Sequence, residues 1–219
     1  MLAHMSGDSE ATIEGPPPPP WRPNPNALAN LETGCGLIDR SYMGRLILTG
    51  KDAAALLQGQ LTNDIESLEV GYGCESALLT AKGKMLGIVR VLRLDDEQFH
   101  LTTDRVSLQD LFDALRRAAV GHDAELGKAT LETAQLSLVG PKADRIAGVN
   151  DLHEEHMTRR ALLGGSRVTM VVTAEGVDIL CPAEKLEGVH NALIAAGATP
   201  GDESAAQCLR VQAGVPLYG

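Results

Sequence analysis

One pattern of strand, glycine turn and helix is written twice in this chain. Thr49-Gly50-Lys51-Asp52-Ala53 is echoed by Val139-Gly140-Pro141-Lys142-Ala143, an offset of 140 − 50 = 90 residues. A second echo pairs the strand and helix over 99–118 with those over 178–197. Two echoes in the same order point to an internal duplication of a split β-α-β unit. The expected fold is therefore α+β, with two small antiparallel sheets and helices packed on them.

The apolar periodicity fills in the elements. Residues 45–49 read as a strand, and Ala53, Leu56, Leu57 and Leu61 share one face of the helix that follows. Residues 76–80 and 85–94 read as a β-hairpin turning at 81–84, where Gly83 takes positive φ. Residues 98–102 form a further strand. Thr103 or Asp104 then caps a helix with Leu108, Leu111, Phe112, Leu115 and Ala119 on one side. The second round has strands over 136–139, 167–172 and 177–181, a short helix through Ile146, and a helix from Pro182 with Leu186, Val189, Leu193 and Ile194 inward.

Seven of the eleven prolines lie before residue 26, five of them consecutive from Pro16 to Pro20, and no hydrophobic period accompanies them. The domain reading is thus a disordered Pro-rich tail over 1–30, a first α+β unit over 31–130 and a second over 131–200. Residues 201–219 read as the start of a connecting helix or of a truncated third region.

Charge and composition exclude whole classes of function. Nineteen Lys and Arg against twenty-nine Asp and Glu give a net charge of −10, the wrong sign for holding a phosphate backbone. Aromatic residues are 3% of the chain, too few for a base-stacking platform, so no nucleic-acid partner is expected. No apolar run approaches the roughly 18 residues of a membrane helix, so no membrane partner is expected either. Four widely spaced cysteines without a C-x-x-C pair read as reduced thiols of a cytoplasmic protein. The expected ligand is a small molecule.

Most short motifs carry little. His153-Glu154-Glu155-His156 lacks the spacing of H-E-x-x-H and reads as a solvated charged loop. Gly34-Cys35-Gly36 lacks the third glycine of a dinucleotide fingerprint, and no phosphate-cradling G-x-x-x-x-G-K-[ST] occurs. More informative are Gln58-Gly59-Gln60-Leu61-Thr62-Asn63-Asp64 and Thr80-Ala81-Lys82-Gly83-Lys84-Met85. Amides and carboxylates together can read the edge of a polar heterocycle, and a hairpin-tip lysine can meet a carboxylate tail. The same residue types are also what a helix end and a turn are made of.

Those two blocks, with Gly36-Leu37-Ile38-Asp39-Arg40-Ser41, Arg90 and Leu209-Arg210-Val211-Gln212-Ala213-Gly214-Val215-Pro216, stand in an order and spacing that resemble the YgfZ-type folate-binding proteins of iron-sulfur cluster assembly. These are relatives of the glycine cleavage T-protein, an aminomethyltransferase. The resemblance spans about residues 34–219. It implies the aminomethyltransferase folate-binding fold, tetrahydrofolate or a folate derivative as cofactor, and iron-sulfur proteins as partners. It places Asn63, Asp64, Lys82, Arg90 and Asp178 around the folate, with Asp178 accepting from the pterin and the basic residues holding carboxylates.

The departures from that family pattern are specific. The T-protein's catalytic carboxylate aligns with Ile88, preceded by Gly87, and an aliphatic side chain cannot accept a proton. Asp178 is one methylene shorter than the usual Glu, Ala206 replaces an arginine, and Gln212 stands where Glu is common. The family's lysine-glycine-cysteine signature and third leaf would follow Gly219, so a truncated chain is expected. The leading expectation is a tetrahydrofolate-binding accessory protein of iron-sulfur cluster assembly or repair, with no catalytic residue assigned. The alternatives are a tetrahydrofolate-dependent aminomethyltransferase and a ligand-free interaction scaffold.

Overall fold

The computed structural model describes residues 25–215. The proline run lies outside the described residues. Where the tail reading extends to residue 30, the chain is already helical: α1 spans Pro25–Thr33, with proline in the first turn, where its missing N–H loses no bond. Leu31 on this helix is buried against Ala205 and Ala206 of α6 (Glu203–Gln212), and that burial favours helix over an extended tail.

The chain then runs β1 (Gly36–Asp39), β2 (Gly44–Thr49), α2 (Ala53–Gln58), β3 (Gly73–Leu79), β4 (Met85–Asp95), β5 (Gln98–Thr103), α3 (Leu108–Ala118) and β6 (Glu125–Lys128). It continues β7 (Thr133–Val139), α4 (Ala143–Ala147), β8 (Thr158–Leu163), β9 (Ser166–Thr173), β10 (Gly176–Pro182), α5 (Leu186–Ala195), β11 (Thr199–Pro200) and α6. The first sheet has the order β3-β4-β5-β2-β6 and the second β11-β1-β7-β10-β9-β8. Reading the second backwards, β8-β9-β10-β7 matches β3-β4-β5-β2, and all pairs among these strands are antiparallel.

The duplication breaks in one place. In the first sheet the strand beside β2 is β6, which follows α3. In the second, the strand beside β7 is β1, which comes from before the first unit, and β11 lies outside it. Residues 36–39 therefore belong to the second sheet, although they fall within the range 31–130 read as the first unit.

Each sheet buries one face under helices. Leu111 and Leu115 of α3 pack with Leu46, Leu48, Val89, Val91, Phe99 and Leu101, while Val189 and Leu193 of α5 pack with Leu136, Leu138, Val177 and Ile179. Each such side chain contributes about 1.5–3 kcal/mol on burial. Helix α2 ends at Gln58, short of the helix face read as including Leu61; Leu61 is buried in the same core but forms an isolated bridge with Leu78.

The opposite faces of the two sheets meet each other. Alternation along β4 turns Ile88, Arg90, Leu92 and Leu94 inward, and along β10 it turns Asp178 and Leu180 inward. Leu92, Leu94, Val171 and Leu180 make a dry cluster between the sheets. Two residues further back along each strand the lining becomes polar, and there a cavity opens. Arg45, 2% exposed, ties the halves together nearby: its Nε donates to Thr133 Oγ1 at 2.7 Å, and one terminal nitrogen donates to the carbonyls of Ser41, Thr130 and Thr133. Among the described residues no helix is long and apolar enough to cross a membrane.

Candidate functional site

The cavity between the sheets has a volume of about 220 Å³. Ligand clefts typically run about 300–1,000 Å³, so this one takes a ring-sized group rather than an elongated molecule. Its floor is Asp178, 4% exposed. Ser137, directly opposite on β7, donates its hydroxyl to Oδ1 at 2.5 Å. Gln135, from the same strand, donates Nε2 to Oδ2 at 3.0 Å, and Arg90 of the other sheet donates to that oxygen at 2.6 Å. Burial works against the charge of Asp178, but Arg90 and Arg40 outweigh it and hold the carboxyl below its ordinary pKa of 3.8.

A second ion network walls the cavity. Arg40 leaves the end of β1 and donates Nε and a terminal nitrogen to both oxygens of Glu203 on α6, at 3.0 and 3.2 Å. Its other terminal nitrogen donates to Glu175 at 2.9 Å. Burial opposes the arginine's charge, the two carboxylates more than offset it, and its pKa is pushed up. The fork geometry of guanidinium and carboxylate fixes the angle at which α6 meets the second sheet. Tyr42 lies against this network, and burial, reinforced by Glu203, pushes its hydroxyl up to about 12.

Ile88 lines the cavity, so the position aligned with the T-protein carboxylate is an aliphatic wall. Gly87 offers no substitute, because a Cβ there would lie 2.6 Å from the Cβ and Oγ of Ser107. Carboxylates do approach from elsewhere. Asp104, read from the sequence as a helix cap, makes no capping bond; a 3-10 turn over Arg105–Ser107 intervenes before α3, and the acid lines the cavity. Burial raises its pKa, with Arg210 pulling the other way. Glu75 is raised too, by burial and then by Glu155.

Of the residues read from the sequence as binding folate, the structure brings together Arg90 and Asp178. Asn63, Asp64 and Lys82 lie outside the lining. Asn63 spends its side chain on the loop, donating to the Glu75 carbonyl at 2.9 Å and accepting from the Asp64 backbone at 2.8 Å. Asp64 is exposed and accepts from the Ser67 backbone. Lys82 stands exposed at the hairpin tip beside Gly83, whose φ is +79°.

Gln135, Ser137, Glu155, His156, Glu175 and Glu203 were not read as site residues. Glu155 and His156 sit in the charged motif read as a solvated loop; it is a turn with His156 at φ +67°, both residues line the cavity, and the His156 Nδ1 is buried without a partner among the described residues. Burial lowers the histidine's pKa. Among the described residues no group of three or more His, Cys, Asp and Glu is placed to hold a metal.

Residues 26–219 match the GCVT N-terminal domain family. The chain is 32% identical over 193 residues to an aminomethyltransferase of Thermus thermophilus, covering 84% of this chain and 55% of that protein. Its fold is similar to that of the glycine cleavage system aminomethyltransferase T of Bartonella henselae, with a TM-score of 0.76 and 21% identity over 88% of this chain and 54% of that one. A heterotetrameric sarcosine oxidase of Corynebacterium sp. U-96 aligns with a TM-score of 0.58 and 20% identity, over 78% of this chain and 89% of that one. The chain spans about half the length of the curated relatives it matches.

Proposed function

This chain belongs to the GCVT N-terminal domain family, and on that premise we propose that it binds the ring of a tetrahydrofolate in the cavity between its two sheets, as a folate-binding accessory protein rather than as a transferase. The observation that carries the reading is the pairing of a buried acid, Asp178, with an aliphatic wall at Ile88. Such a site keeps the means to hold a nitrogen heterocycle and lacks the proton acceptor at the position where transfer chemistry would need it.

The residues present fit a reduced pterin. Gln135, whose Nε2 donates to Asp178 Oδ2, has its Oε1 buried without a donor among the described residues. Unpartnered buried polar atoms are costly and favour a ligand that satisfies them. Six carboxylates line the cavity against three guanidiniums, which suits a neutral ring and leaves an anionic glutamate tail to solvent. Asp178 and Gln135 would hold the ring edge, while Ile88 and Met43 would cover its faces. Tetrahydrofolate carries one-carbon units; the residues around it here orient the ring and shield it from water.

A role in iron-sulfur cluster assembly or repair, in the cytoplasm and with iron-sulfur proteins as partners, is the cellular setting we propose. It is supported by the Ala81-Lys82-Gly83-Lys84-Met85 block with Arg90, which resembles the YgfZ-type proteins. Aminomethyl transfer is the second reading, favoured by Asp104, a half-buried carboxylate lining the same cavity as Ile88. Calorimetric titration with 5-formyltetrahydrofolate tests the first reading. Saturable one-to-one binding that is lost in Ile88→Trp supports it, and absence of binding leaves a scaffold. A glycine-cleavage assay showing turnover that Asp104→Asn abolishes would favour the transferase.

A further inference from the structure

The carboxylate of Asp178 is almost fully committed within the protein. Of its roughly four lone-pair positions, Ser137 takes one on Oδ1, and Gln135 and Arg90 take both on Oδ2. A 2-aminopyrimidinone edge, such as that of a pterin, needs one acceptor position on each oxygen. Oδ2 has none to give while both donors stay. Ser137 and Gln135 stand on β7, hydrogen-bonded in register to β10, so they are fixed to the same sheet as Asp178. Arg90 reaches across from the first sheet and is the partner that can leave.

Arg90 also has the shape of what it would exclude. A guanidinium presents two N–H donors on one side of a planar N–C–N unit, as the pterin edge does. Only one of its nitrogens bonds Asp178, and its Nε is buried with no partner among the described residues, so the arginine holds the position without being fully satisfied there. A second resting place lies within reach. Glu75 is paired with Arg90 in register across β3 and β4, lines the same cavity, and has no ion pair among the described residues.

Resting on the folate reading above, we infer that Arg90 is an internal stand-in for the ligand's nitrogen edge: it occupies the acceptor position on Asp178 and moves to Glu75 when the ring binds. Arg90 thereby sets affinity and selectivity, since only a ring that offers Asp178 a better donor pair than the guanidinium displaces it.

The test uses two probes on the full chain, the bare ring 2-amino-4-oxopteridine and 5-formyltetrahydrofolate, both titrated by calorimetry. Arg90→Met removes the competitor and is expected to bind the bare ring about 10-fold more tightly or better, the scale of one charge-assisted hydrogen bond. That gain must vanish when Asp178→Asn is added. A purely structural role for Arg90 would weaken binding instead. Bare-ring affinity in Arg90→Met no higher than in the unsubstituted chain, or a gain that survives Asp178→Asn, overturns the inference. Should Arg90→Met fail to fold, Glu75→Gln decides: weaker binding supports the displaced position, and unchanged binding overturns it. The folate reading is judged separately, by whether the unsubstituted chain binds 5-formyltetrahydrofolate.

Discussion

Gly50 and Gly140 hold equivalent places in the two sheets. Each follows the first strand of its repeat in chain order, at φ +124° and +119°, and each donates its N–H at 2.9 Å to the carbonyl of the residue before the neighbouring strand, Glu97 and Glu175. Each accepts at its carbonyl from the first residue of the next helix, Ala53 at 3.1 Å and Ala143 at 3.0 Å. A Cβ would lie 2.2 Å from the Asp123 carbonyl oxygen in one case and 2.5 Å from the Leu31 carbonyl oxygen in the other. The turn serves two cores, and backbone packs directly against it in both.

Alanine at either glycine should therefore destabilise the fold by more than the ~1–3 kcal/mol of a strained backbone conformation alone, because backbone must move as well. Gly83→Ala, at φ +79° with nothing within 4 Å of the new Cβ, should lose only about 1 kcal/mol. Urea denaturation of the three variants separates these outcomes. Equal losses at all three would refute the packing argument.

Arg45 is the next point of attack. Replacing it with Met strands the carbonyls of Ser41, Thr130 and Thr133 in a buried setting, at a cost of about 2–4 kcal/mol. Among the described residues Arg45 has no carboxylate partner in hydrogen-bond contact, and burial lowers its pKa to about 10, so it acts as a donor hub rather than as half of an ion pair. The same urea assay in 0.05 and 0.5 M salt should show a loss that barely changes with salt.

Stability should also report on His100. Burial, with help from Arg45 and Arg160, lowers its pKa from 6.5 to about 4. Between those values the unfolded chain binds the proton and the folded chain does not, so stability rises with pH across that window and is lost as pH falls from about 6.5 toward 4. The full difference is on the order of 3 kcal/mol. His156 adds a slope of the same sign, so the comparison is with His100→Gln, whose urea midpoint should depend less on pH between 4 and 6.5. Parallel curves for the two proteins would remove His100 from the account.

How much of this was legible in the sequence follows from the range over which each signal acts. The glycine turns, the hairpin at Gly83 and the faces of α3 and α5 depend on neighbours within a few residues, and the sequence carries them openly. Strand β1 was hidden because four residues have almost no period of their own and find their partner about 100 positions later, in β7. The cavity was hidden for a related reason. Arg40, Gln135, Glu175 and Glu203 sit on separate elements of the second half and its flanks, and only the closing of one sheet over the other makes them neighbours of Arg90.

Asn63 and Asp64 show the converse. Their amide and carboxylate have the right chemistry for a ligand, but a loop leaving a helix needs the same groups for its own backbone, and here the backbone takes them.

In the proposed complex the ring of a tetrahydrofolate enters between the sheets. Backbone hydrogen exchange with and without 5-formyltetrahydrofolate tests it most directly. Slower exchange is expected in the segments around Ile88 and Arg90 on β4, Gln135 on β7 and Asp178 on β10. Slowing confined to the exposed loop around Asn63 and Asp64, or no slowing at saturating ligand, would contradict it.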